Sequence, residues 1–186
     1  MTTQSSTAIQ SATLGGGCFW CLEAVYEGLE GVVNVQSGYS GGSMRNPSYR
    51  AVCEGDTGHA EVVRVDFESS RLSFREVLEV FFAIHDPTTL NRQGNDEGSQ
   101  YRSVIFYHSA EQEKIARQLI LELEADAVFD DPVVTEIVAA GPFYPAEEAH
   151  RQYYARNSEQ PYCRLVVAPK VAKFRSKFLA KLKKKA

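Results

Sequence analysis

Seven consecutive residues, Gly15-Gly16-Gly17-Cys18-Phe19-Trp20-Cys21, constrain this chain more than any other stretch. A short apolar, β-prone run from Ala12 to Leu14 leads into them, and Phe19, Leu22, Val25, Tyr26 and Leu29 follow at helical spacing. The glycines therefore make a strand-to-helix turn at which the backbone approaches something closely. Cys18 falls at or near the first turn of the helix. The unpaired N–H groups there, and the positive end of the dipole, favour a thiolate over a thiol. Cys18 is thus a candidate nucleophile. Most free cysteines are small buried hydrophobes, but three glycines before this one and two aromatics after it weigh against that reading.

At 186 residues the chain is long enough for one domain with a sizeable core. A formal net charge of -4 gives the whole molecule no polyanion-binding character, so no nucleic-acid partner is expected. Met1 to Gln10 is polar, without a basic start or an apolar run, and no stretch is long and apolar enough to span a membrane. The expected compartment is the cytoplasm, with no membrane association. Four cysteines in that setting suggest catalysis, redox work or metal before structural disulfides.

In chain order, 1–11 is expected to be a mobile tail and 12–186 a single catalytic domain. The Cys18 helix is expected to run to about Glu30 and to end at Gly31; Val32 to Gly38 alternates like a strand. Tyr39 to Thr57 is a long loop, Glu61 to Phe67 a strand, and Ser73 caps a helix through His85 with Glu76 at the capping-box position. A second loop, Thr88 to Tyr101, carries Asn91 to Gln100 with almost no apolar residue. Ser103 to Tyr107 and Val133 to Ala139 suggest strands, and Ala110 to Ala127 a helix. Glu147 to Arg156 suggests a short helix, Leu165 to Val167 a short strand, and Pro169 opens a last helix. The first six elements run β-α-β-β-α-β, the order of a ferredoxin-like two-layer sandwich. The predicted fold is therefore α+β, with long functional loops and extra C-terminal helices. That connectivity can gather Gly15–Cys18 and both long loops around the nucleophile.

Gly17-Cys18-Phe19-Trp20, Gly38-Tyr39-Ser40-Gly41-Gly42, Asn46-Pro47-Ser48-Tyr49, Gly55-Asp56-Thr57-Gly58-His59-Ala60-Glu61, His85-Asp86-Pro87, Arg92-Gln93-Gly94-Asn95-Asp96 and Gln100-Tyr101-Arg102-Ser103 occur in that order. Together they resemble peptide methionine sulfoxide reductases of the A type, which act on the S-epimer of the sulfoxide; the resemblance runs from Gly15 to about Tyr162. It implies that Cys18 attacks the sulfoxide sulfur and that Phe19 and Trp20 form the apolar pocket for the substrate's S-methyl group. It implies that Tyr49, Glu61 and Tyr101 hydrogen-bond the sulfoxide oxygen, with Glu61 as the acid. Asp96 would shape the site and hold the substrate backbone. The implied substrate is methionine sulfoxide, free or in proteins. No cofactor is implied: electrons would come from thioredoxin, the expected partner, or from dithiothreitol. The enzyme is expected to be a monomer.

These residue types suit the reaction independently. A sulfoxide oxygen is a poor leaving group until protonated, so the site needs a soft nucleophile, a proton donor and an aromatic wall. A partly buried carboxyl stays protonated, and phenolic hydroxyls donate without adding charge. Taken singly, Tyr49, Tyr101, Phe19 and Trp20 would suit a core, Glu61 a strand surface and Asp96 a turn. His59 and His85 suit structural hydrogen bonding, and Cys53 a buried, inert thiol.

Attack would leave a sulfenic acid on Cys18, which a second thiol converts to a disulfide. Cys21 leads as that resolving thiol, with Cys163 of Tyr162-Cys163 as the alternative or as a third member of a relay. Two further readings stay open. One is a general Cys-x-x-Cys thiol–disulfide oxidoreductase. The other is a metal-binding module using Cys18, Cys21, His59 and Cys163, although a second paired arm of ligands is missing.

Overall fold

The computed structural model describes residues 8–184. Strand β1 (Ile9–Gly15) passes through the glycine turn into α1 (Phe19–Glu27), followed by β2 (Val32–Ser40), the short helix α2 (Tyr49–Glu54), β3 (Ala60–Glu68) and α3 (Phe74–Ile84). A small hairpin, β4 (Arg92–Gln93) and β5 (Asp96–Glu97), precedes β6 (Val104–Tyr107) and α4 (Ala110–Ala125). The remaining elements are β7 (Glu136–Ala139), β8 (Phe143–Pro145), α5 (Tyr153–Arg156) and α6 (Ala168–Lys177).

The fold is mixed α and β. Its main sheet has the order β7-β6-β1-β3-β2-β8. The four inner strands pair antiparallel, β8 adds antiparallel to β2, and β7 adds parallel to β6. Period-two alternation sends Glu61, Val63, Val65 and Phe67 of β3 to one face. There the three apolar residues join Leu14, Ile105, Leu22, Val25, Leu78 and Phe81 in the main core beneath α1 and α3. Ala60 and Val62 turn to the other face and pack with Val104, Phe106 and Phe143 in a small second cluster. Glu61 thus lies on the helix-bearing face at the end of β3 nearest the glycine turn, directly opposite Tyr39 of β2.

Several boundaries differ from the sequence reading. The first strand begins at Ile9, which pairs with Glu68, so Ile9 to Ser11 belong to the sheet; 1–7 of the expected tail lie outside the described residues. Helix α1 stops at Glu27 with Gly28 as its C-cap. The loop after β2 holds α2, whose N-cap Ser48 accepts the Ala51 N–H at 3.2 Å. Residues 147–156 do not form one helix: a 3-10 turn at Glu148–His150 and α5 are separated by Gln152, which has a left-handed backbone. Leu165 to Val167 is not a strand but part of a π-helical turn, Cys163–Val167, running into α6. Cys163, Val167, Val171 and Phe174 are all buried. This helical stripe outweighs the β-propensity of two adjacent valines.

Candidate active site

The glycine turn fixes where the reactive end of α1 lies. Gly17 has φ +88°, and a Cβ there would come within 2.6 Å of the Gln93 side chain. Cys18 is the N-cap of α1 in extended conformation, so the first-turn N–H groups point past its thiol. The first of them, from Phe19, donates to Glu61 Oε2 at 3.0 Å. One strand residue and one helix terminus therefore bring the candidate acid to the candidate nucleophile.

Both groups are covered: Cys18 is 7% exposed and Glu61 1%. Burial pushes the Glu61 carboxyl up to about 8, with Asp96 adding to the rise and the Phe19 N–H opposing it. At neutral pH Glu61 therefore carries its proton. Burial also pushes the Cys18 thiol well above the ordinary cysteine value, reinforced by Glu61 and Cys21. The Trp20 N–H and the Tyr162 hydroxyl pull the other way. The thiolate expected from the helix start is thus corrected. A nine-residue helix whose first N–H is already engaged by Glu61 does not offset desolvation, and burial favours the Cys18 thiol over the thiolate.

Phenols surround this pair. Tyr39, Tyr49, Tyr101 and Tyr162 are all raised by burial and stay neutral donors. Tyr49 opens α2, and Glu147 ties it to β2 by accepting the Tyr49 N–H and the Tyr39 hydroxyl, each at 3.2 Å. Tyr101 closes a 3-10 turn after the hairpin and lies close enough to feel Glu61 and Cys18. Asp96, on β5, accepts the Tyr162 hydroxyl at 2.6 Å.

The aromatic wall is larger than the sequence reading held. Phe19 packs against Tyr39, Tyr49 and His150, with ring centroids 5.8, 6.3 and 5.3 Å away. The Trp20 indole N–H donates to His150 Nδ1 at 3.1 Å, and Tyr153 stacks on the indole at 3.7 Å with planes 6° apart. Tyr162 meets Trp20 edge-on at 5.7 Å. His150 and Tyr153 were missed, and Tyr162 was noted only as a neighbour of Cys163. Their one signal is His150, Tyr153, Tyr154 and Tyr162 within a short span, which an apolar-periodicity search passes over.

Cys21 is buried on α1 and pushed up to about 11 by burial, with Lys170 pulling it down. Cys163, fully buried at the start of the π-helical turn, lies close enough for its charge to bear on Cys21. The expectation that Cys53 is buried is overturned: it is exposed on α2, one turn after Tyr49. His59 serves structure, accepting the Gly42 N–H at 2.9 Å and bonding the Met44 carbonyl at 2.7 Å. Both its ring nitrogens are engaged away from the cysteines, so the four-ligand metal reading loses that member. His85, pushed down to about 4 by burial, bonds the Phe81 carbonyl and the Ser103 hydroxyl.

A family model described as peptide methionine sulfoxide reductase matches residues 10–182. The chain is 56% identical over 178 residues to the peptide methionine sulfoxide reductase MsrA of Polynucleobacter asymbioticus, covering 96% of this chain and 94% of that one. It is 55% identical over 175 residues to MsrA of Saccharolobus solfataricus, covering 94% and 98%. Its structure is similar to that of Mxr1 from Saccharomyces cerevisiae in reduced form, with a TM-score of 0.77, 34% identity, and coverage of 86% of this chain and 91% of that one. Mxr1 has also been crystallised in complex with Trx2.

Proposed function

Because the chain belongs to the peptide methionine sulfoxide reductase family, an oxidoreductase family, we propose that Cys18 and Glu61 carry out its reduction of methionine sulfoxide as nucleophile and acid. The observation that carries this assignment is the Phe19 N–H to Glu61 bond at 3.0 Å, which seats a protonated carboxyl at the helix end where Cys18 stands.

The substrate's S-methyl group would lie against Phe19 and Trp20, and its oxygen would accept from Glu61, Tyr49 and Tyr101. Asp96 would hold the substrate backbone. The Cys18 sulfur attacks the sulfoxide sulfur as the Glu61 proton moves to the oxygen. The oxygen then passes to Cys18 Sγ as the original sulfur–oxygen bond and the newly formed sulfur–sulfur bond break, which leaves a sulfenic acid on Cys18 and releases the thioether. The thiol proton restores the Glu61 carboxyl. A sulfenic acid and a second thiol then give a disulfide and water. Cys21 is the proposed resolving thiol, one helical turn from Cys18, with Cys163 as the alternative. The nearness of Cys163 to Cys21 supports a relay through both.

Thioredoxin is the proposed reductant, a reading supported by the Mxr1 complex with Trx2; the enzyme itself needs no cofactor. The inner strand order β6-β1-β3-β2, with α1 and α3 on one face, supports a ferredoxin-like βαββαβ sandwich. Among the described residues no helix is long and apolar enough to cross a membrane. Free thiols paired with a thiol reductant suit a reducing compartment, and we place the enzyme in the cytoplasm as a monomer with one catalytic domain.

A general disulfide oxidoreductase would need an exposed, acidic thiol, which neither Cys18 nor Cys21 provides. Turnover of separated sulfoxide epimers with dithiothreitol tests the reading. Release of methionine from the S-epimer alone is expected; equal use of both epimers, or of neither, would overturn it.

A further inference from the structure

Glu23 is a carboxylate in the middle of α1, 2% exposed, with no part in the reaction described above. It follows Trp20 by three positions, so the two side chains share a helix face. Across from them the chain re-enters α5 through Gln152, whose backbone is left-handed at φ 48° and ψ 40° and whose side chain caps nothing. The first N–H of that helix needs an acceptor. Glu23 supplies it: Oε1 accepts the Tyr153 N–H at 3.3 Å, while Ser37 Oγ donates to Oε2 at 3.4 Å. Tyr153 in turn lies flat on the Trp20 indole at 3.7 Å.

We propose that Glu23 is a positioning residue for the sulfoxide-binding wall: it caps the Tyr153 helix from α1 and so fixes the ring that backs Trp20. This rests on the reading that Trp20 lines the S-methyl pocket. A left-handed non-glycine residue persists only where its surroundings hold it, and a buried carboxyl only where it is hydrogen-bonded. Here each condition meets the other. The carboxyl is held against a cost, since burial and the neighbouring Glu27 push it up to about 7.

The test uses the full chain, free methionine S-sulfoxide and dithiothreitol. In Glu23→Ala the KM should rise about 2- to 30-fold, the span of a lost helix cap, with kcat within about 2-fold. Glu23→Gln, which can still accept the Tyr153 N–H, should rescue most of the KM and guards against a misfolded alanine variant. Trp20 is the only tryptophan, so its emission reports the stack directly and should change in Glu23→Ala. In a Tyr153→Ala background, Glu23→Ala should add nothing further to KM. An unchanged KM and emission in folded Glu23→Ala, or additive effects of the two substitutions, would overturn the proposal. Wild-type enzyme that fails to reduce the sulfoxide would instead sink the functional reading beneath it.

Discussion

The Phe19 backbone N–H and the Glu61 carboxyl share one hydrogen bond, 3.0 Å long, at the end of α1 where Cys18 is the N-cap. The helix end that would be expected to activate the thiol is thus partly engaged with the proposed acid. Buried carboxyl and buried thiol both keep their protons at neutral pH. The candidate nucleophile and the candidate acid are thus both uncharged, while the Asp96 carboxyl stands beside them on the Tyr162 hydroxyl.

Glu61→Gln should slow methionine release about 10²- to 10⁴-fold, the usual worth of a general acid, as read by single-turnover quench. The fold should survive, because a neutral amide replaces a neutral carboxyl. The pH dependence of stability gives a second reading. The folded pKa of about 8 lies above the ordinary 4.5. Between those values the folded chain keeps a proton that the unfolded chain has released, so Glu61 costs stability as pH rises. Glu61→Gln should therefore gain on wild type in urea melts from about pH 5 to about pH 8.

In the proposed site, Tyr49→Phe and Tyr101→Phe would each delete one donor to the sulfoxide oxygen. Each should lower kcat/KM about 2- to 10-fold, the range of a single neutral hydrogen bond. Steady-state assays with dithiothreitol check this, and no loss in the double variant would remove both hydroxyls from the site.

Native alkylation should find Cys53 first. Cys53 is exposed, whereas Cys18, Cys21 and Cys163 are buried, and burial raises all four thiols. Peptide mapping after brief iodoacetamide treatment at neutral pH should show Cys53 labelled well ahead of Cys18. Prompt labelling of Cys18 would mean that its thiolate is populated without substrate.

Cys21→Ser should release one equivalent of methionine and then stall with thioredoxin, while dithiothreitol partly restores turnover. Cys163→Ser should keep thioredoxin-linked turnover if Cys21 resolves alone. A stall in both variants would indicate the relay, and a stall in Cys163→Ser alone would make Cys163 the resolving thiol.

Local signals made much of the fold legible. The glycine turn, the Cys18 helix start and the Ser73–Glu76 capping box are written in adjacent residues, and each stands where expected. The gathering of Glu61, Tyr49, Tyr101 and Asp96 around Cys18 was reachable only through the long ordered motifs, since no residue of that set is distinctive alone. What stayed hidden depends on tertiary contact. Tyr153 matters through a stack on Trp20 and His150 through an indole N–H, across 130 residues of sequence in the latter case. The charge state of Cys18 was misread because a helix start is visible in sequence and the burial that outweighs it is not.

One measurement reaches the central claim directly. A Cys21→Ser/Cys163→Ser double variant is mixed with methionine S-sulfoxide, quenched, treated with a sulfenic-acid probe and mapped by mass spectrometry. One equivalent of methionine, with the probe on Cys18 and a rate that Glu61→Gln sharply reduces, is the predicted result. A probe on Cys53, or methionine released by Cys18→Ser, would contradict it.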